Sequence, residues 1–222
     1  MVVVLLLIGK GVYAQENSII WKVNTHRKQV ALTFDDGPRP EPTAKILKIL
    51  NQLQAKATFF LVGNIAEKQP DTVYSIIAQG HEVANHTFSH SRLEHMPLSQ
   101  TQKEISLANN ALSSITGFKV KYFRPPGGKY TSQSLEIIKS LGMKMIMWDV
   151  NANDYVRVAP FYGIQGENSS NDICKKVLDE TKNGSIILMH NGSKETIKAL
   201  PYIIMRLRQE GYHLVTISEL LK

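Results

Sequence analysis

Asp35 and Asp36 stand side by side behind an apolar run, in Val30-Ala31-Leu32-Thr33-Phe34-Asp35-Asp36-Gly37-Pro38. Strand side chains alternate, so two adjacent carboxylates at a strand end are expected to face different directions. One can then ligate a cation while the other stays free as a base. Gly37-Pro38 turns the chain sharply after them, and alone the segment reads as an ordinary turn. His86 and His90 lie four apart in His86-Thr87-Phe88-Ser89-His90. That spacing places both imidazoles on one side of a helical turn, within reach of one ion. With one aspartate they supply three protein ligands and leave positions open for water and substrate, the usual form of a catalytic zinc site.

Two further segments offer groups of the same kind. In Arg124-Pro125-Pro126-Gly127-Gly128 the prolines stiffen a turn and the glycines let backbone approach a ligand. Arg124 can hold a carboxylate through two parallel hydrogen bonds. His190 leaves the apolar run Ile186-Ile187-Leu188-Met189 and, beside a metal site, is a candidate general acid. Each segment alone has a plain structural reading. Five ionisable sites that each close a short apolar run, Asp149 after Met143 to Trp148 being the fifth, point to one shared site. In βα-repeat folds the C-terminal strand ends converge on one face, where the chemistry is done.

The elements needed to position them alternate along the chain. Strands are expected at Gln29–Phe34, Ala57–Leu61, Glu82–Asn85, Tyr122–Arg124, Met143–Trp148, Ser185–Met189 and His213–Val215. Helices are expected at Thr43–Asn51, Thr72–Gln79, Leu98–Thr116, Ser132–Ser140, Ser170–Thr181, Glu195–Gln209 and Ser218–Leu221. Ser99 with Gln102 suggests a capping box for the longest helix and Gly117 its end, Gly80 ends the helix before it, and Pro201 suggests a bend or restart. Residues 155–169, with Pro160, Gly163 and Gly166, read as an inserted loop. Seven strands alternating with helices predict a parallel α/β domain, barrel or open sheet, with no linker dividing it.

Together the motifs resemble the polysaccharide deacetylases, carbohydrate esterase family 4, also called the chitooligosaccharide deacetylase homology domain. TFDDGP, HTFSH, RPPGG and LMHNG occur in the family's order and approximate spacing, with ATFFLVGN and GHEVANHT around them. The resemblance covers roughly residues 29–220. It implies a distorted (β/α) barrel of about seven parallel strands, and removal of N-acetyl groups from peptidoglycan- or chitin-type sugars. By position it makes Asp36, His86 and His90 ligands of a divalent metal (zinc, with cobalt, nickel or manganese as alternatives). Asp35 becomes the base, Arg124 its orienting partner, His190 the acid, and the Gly127 N–H an oxyanion donor.

Two departures stand out. The family's Asp-x-x-Asp-Trp block reads Asn151-Ala152-Asn153-Asp154-Tyr155 here. Asn151 takes the place of an aspartate expected to support the acid, which predicts a less basic His190 unless Asp149 or Asp154 substitutes. Gly127 replaces a tyrosine common in the family, keeping the N–H while losing a side-chain wall. This suggests a wider cleft for a bulkier sugar, such as a lactyl-bearing muramic residue.

Composition narrows the rest. The 222 residues suit one domain, 29–222, behind a leader at 15–28. Val2 to Ile8 followed by Val12-Tyr13-Ala14 reads as a signal peptide cleaved after Ala14, though no Lys or Arg precedes the apolar run. Secretion to the cell wall follows from that reading, with no membrane span after processing. The net charge of +7 is scattered without a basic block, which argues against nucleic acid as a partner. An acetylated glycan is the expected partner and a monomer the expected state. His26, His95 and His213 read as surface or packing residues and His81 as structural. Cys174, the only cysteine, forms no intramolecular disulfide and reads as a packed thiol in a helix. Two other readings fit parts of the pattern: a relative that binds glycan without turnover, and an iron oxygenase built on two histidines and a carboxylate. Oxygenase chemistry leaves Asp35, Arg124 and His190 without a task.

Overall fold

The computed structural model describes residues 19–154 and 168–222. The expected signal peptide, Tyr155 and most of the expected loop at 155–169 lie outside the described residues. The strands are β1 Ile19–Ile20, β2 Gln29–Gly37, β3 Ala57–Leu61, β4 Glu82–Asn85, β5 Tyr122–Phe123, β6 Lys144–Ile146, β7 Val150–Asn151, β8 Ile186–His190 and β9 His213–Leu214. The helices are α1 Pro40–Gln52, α2 Gly63–Lys68, α3 Pro70–Ala78, α4 Leu98–Thr116, α5 Ser132–Ser140, α6 Ser170–Glu180, α7 Lys194–Gln209 and α8 Ile217–Leu220.

The sheet runs β1-β6-β5-β4-β3-β2-β8-β7, with β9 beside the start of β2. Every ladder between these strands is parallel, and the strands curl into a half-barrel. Nine described strands replace the expected seven. The additions, β1 and β7, have two residues each and carry no periodic signal. The sheet therefore takes in Ile19 and Ile20, within the expected leader.

Two apolar layers follow from strand alternation. Leu32, Phe34, Phe59, Leu61, Val83, Phe123, Met145, Ile187 and Met189 face the helices. Ala31, Phe60, Ala84, Tyr122, Ile146 and Ile186 face inward, closed at the N-terminal end by Ile217 and Leu220 of α8. Being buried on both faces explains why the strands read as continuous apolar runs.

Local signals held unevenly. α1 starts at Pro40, earlier than expected, because proline is pre-shaped for the first helical turn. α4 has no capping box; its N-cap is Pro97, and no side chain caps it. Its other end is as expected, at left-handed Gly117. α7 runs unbroken through Pro201, held by a buried face of Ala199, Leu200, Ile203, Ile204 and Leu207. α2 was not foreseen, because six residues are too few for a helical period to register.

Candidate active site

The inward parity of the strands aims the chemistry. Asp35 follows Ala31 and Thr33 on β2, His86 follows Ala84, Arg124 follows Tyr122, Trp148 follows Ile146, and His190 follows Ile186 and Leu188. All lie at the C-terminal edge, and Asp35 pairs in register with His190.

Asp36 breaks that parity. Its φ is 70°, and the β2–β3 register shifts between Phe34 and Gly37. The irregularity overrides the expected alternation, so both carboxylates face one site. Asp36 Oδ1 lies 3.4 Å from His86 Nε2 and 3.0 Å from His90 Nε2, while Asp35 Oδ2 lies 3.8 Å from His86 Nε2. Burial acts to raise the Asp36 pKa, but hydrogen bonds from His86 and His90, with the charges of His86 and His190, hold it far below the usual carboxylate range.

The expected helical turn at His86 and His90 does not form. Thr87 and His90 have φ of 64° and 61°, and the loop is pinned from outside. Thr87 N–H donates to Asn85 Oδ1 (2.9 Å). Phe88 and Ser89 N–H donate to Glu104 on α4 at 3.0 and 2.9 Å. His86 Nδ1 lies 2.8 Å from Arg124 O, which fixes the ring with Nε2 toward Asp36. One ligand atom from each of Asp36, His86 and His90 falls within 4.8 Å of the others. Two imidazoles, one carboxylate and a backbone carbonyl behind one ring fit a divalent cation such as zinc.

Arg124 is fully buried. It donates to Asp35 Oδ1 (2.7 Å), Thr33 Oγ1 (2.8 Å), Ile146 O (3.0 Å) and Met147 O (2.9 Å). Its guanidinium also stacks 4.0 Å from the Phe60 ring centroid. Burial lowers its pKa and Asp35 opposes that. Asp35 Oδ1 is thus tied to Arg124, while Oδ2 faces His86.

His190 is supported by Asp154. Its Nδ1 lies 2.8 Å from Asp154 Oδ1, and its N–H donates to Asp154 Oδ2 (2.7 Å), which also accepts from Thr196 Oγ1. The expected loss of basicity does not occur. Burial alone would lower the His190 pKa, but the Asp154 hydrogen bond and charge, with Asp35 and Asp36 nearby, raise it. Asn151 instead accepts the Asn153 N–H (2.9 Å) and shapes the turn leading to Asp154. Asp149 is occupied elsewhere, accepting from Ser185 Oγ and Ile186 N–H at 2.8 and 2.7 Å.

Asp35, Asp36, His86, His90 and His190 line a cleft of about 490 Å³ that also takes in Arg92, Gly127, Lys129 and Trp148. The glycines act differently. A Cβ at Gly128 would lie 2.7 Å from the Trp148 ring, so this glycine seats that indole. A Cβ at Gly127 would lie 3.3 Å from Arg92 Nη2. The space expected to be open at Gly127 is therefore occupied by a guanidinium. Cys174 lies apart in a concavity of about 610 Å³ along α6 and α7 that holds none of the site residues. Sequence reasoning missed Thr33, Thr196, Glu104 and Arg92. Thr33 carries a hydroxyl inside an apolar run, Thr196 lies in the polar first turn of α7, and Glu104 acts across a distance that no local spacing encodes.

Comparison with known proteins gives a consistent picture. The family profile described as polysaccharide deacetylase matches residues 22–146. A peptidoglycan-N-acetylglucosamine deacetylase of Bacillus cereus is 33% identical over 212 residues, covering 92% of this chain and 93% of the relative. The peptidoglycan-N-acetylmuramic acid deacetylase PdaC of Bacillus subtilis is 31% identical over 89% of this chain, which spans 40% of that relative. Among solved structures, a pseudoenzyme of the same carbohydrate esterase family from Bacillus anthracis superimposes with a TM-score of 0.84 at 27% identity, over 93% of this chain and 69% of that one.

Proposed function

The chain belongs to the polysaccharide deacetylase family, and on that premise we propose that it hydrolyses the acetamide of N-acetylated sugars in peptidoglycan- or chitin-type glycans. One observation carries the reading: Asp35, anchored by Arg124, shares one cleft with the Asp36-His86-His90 cluster and with the Asp154-backed His190.

Asp36, His86 and His90 would hold the cation, for which zinc fits the donor set and cobalt, nickel or manganese are alternatives. When bound, the cation supplies a water of lowered pKa and polarises the acyl oxygen. Asp35 takes the proton of the attacking water through Oδ2, because Arg124 engages Oδ1. The Gly127 N–H is the donor offered to the oxyanion. His190 gives its proton to the departing amine nitrogen through Nε2, and Asp154 stabilises the imidazolium. Acetate and a free amino sugar result.

The non-catalytic reading has a precedent in the pseudoenzyme neighbour. Against it, base, ligands, acid and the acid's carboxylate are all in place. Measuring acetate from N-acetylglucosamine oligomers and from peptidoglycan, with zinc or cobalt added, decides between them. Release supports the enzyme; metal binding without release from any glycan supports the binding relative. Secretion through residues 1–14 and action at the cell wall as a monomer complete the proposal. No described helix is long and apolar enough to cross a membrane.

A further inference from the structure

Two cations in the cleft have no part in the hydrolysis. Arg92 is half-exposed, and its guanidinium lies over Gly127, 3.3 Å from where a Cβ would be. Glu94 steadies it at 3.6 Å. Lys129 is exposed two residues beyond Gly127 and lines the same cleft. Among the described residues, Asp35 and Asp36 are the only carboxylates lining the cleft, each already facing a cationic or imidazole partner. A neutral acetylated sugar makes no use of this asymmetry. A carboxylate does, because a guanidinium fork matches its geometry and an ammonium in the same cleft adds to the attraction.

Building on the deacetylase reading, we propose that Arg92 and Lys129 select a glycan carrying a free lactyl-type carboxylate on or beside the sugar to be deacetylated. Glycine at 127 leaves Arg92 room beside it, since a Cβ there would crowd the guanidinium at 3.3 Å. The preferred substrate is then an anionic strand with uncapped carboxyls, ahead of a neutral oligomer or one whose carboxyls are amide-linked.

The test compares acetate release from three tetrasaccharides. One alternates N-acetylglucosamine with N-acetylmuramic acid bearing free lactyl carboxyls, the second is the same compound with those carboxyls amidated, and the third is all N-acetylglucosamine. The wild type should favour the free-acid compound over its amide by about tenfold in kcat/KM, mostly through KM, and the preference should shrink as salt rises. In Arg92→Gln/Lys129→Gln that ratio should fall towards one, while Arg92→Lys should retain part of it. A ratio near one in the wild type, or one unchanged in the double variant, overturns the inference and leaves the deacetylase reading standing. No release from any of the three overturns both.

Discussion

Replacing Arg124 by methionine tests how Asp35, the proposed base, is held. The side chain is fully buried and donates four hydrogen bonds, one of them to Asp35. Methionine fills much of the volume but leaves the Asp35 carboxylate buried without its cation. Breaking a buried pair in this way costs about 3–5 kcal/mol, and the orphaned carbonyls of Ile146 and Met147 add to it. A loss of about 4 kcal/mol is a large share of the 5–15 kcal/mol typical of a domain. Urea unfolding of the metal-free protein should show that loss as a lower midpoint with an unchanged slope. Asp35→Asn alone should also destabilise, since it strands the buried guanidinium. Combined, the two should cost less than their sum by at least about 2 kcal/mol, because each single change leaves the other's charge unpaired. Additive losses, or a loss below about 1.5 kcal/mol for Arg124→Met, would refute the view that this buried pair anchors the base.

The other predictions are more local. Asp154→Asn removes the charge that raises the His190 pKa, so the alkaline limb of the kcat/KM profile, where the acid loses its proton, should move to lower pH; an unmoved limb would mean that Asp154 does not tune the acid. Glu104→Ala frees the loop carrying His86 and His90, and zinc affinity should fall about tenfold to a hundredfold by chelator competition. His81 is buried, its ring nitrogens have no partner among the described residues, and burial then nearby Lys56 lower its pKa to about 4. The unfolded chain therefore binds the proton first, so stability should drop by up to about 3 kcal/mol as pH falls from 6.5 to 4 and level off below; His81→Leu should flatten that slope, and an equal slope would count against it. At Gly184 (φ +77°) a Cβ would lie 1.8 Å from Val23 O, so Gly184→Ala should lower stability by at least about 2 kcal/mol in thermal unfolding.

The identities of the site residues were legible because each closes an apolar run, and the alternation of those runs aims Asp35, His86, Arg124 and His190 inward. Their exact partners were less so. The left-handed backbone at Asp36 follows from how β2 meets β3, a tertiary fact, and it turns the second carboxylate into the site against the alternation rule. The His86–His90 spacing suggested a helix, yet Glu104, on a different element, bonds the backbone between them and holds the loop open. For the acid, reading by family position put weight on Asn151, whereas the left-handed turn at Asn153 brings Asp154 to His190. The loss at 127 read as empty space, because nothing in the sequence tells that Arg92 fills it. The elements not expected, β1, β7 and α2, have two, two and six residues, too few for a period to register.

The central claim is that a cation on Asp36, His86 and His90 and the Asp35 beside it form one hydrolytic unit. Titrating chelator-treated protein with zinc while following acetate release from N-acetylglucosamine oligomers tests it most directly. Release should be absent without metal, rise to an end point near about one equivalent per chain, and fail at every zinc level in Asp35→Asn. Release that survives chelation, or saturable zinc binding with no acetate from any glycan offered, would contradict the account.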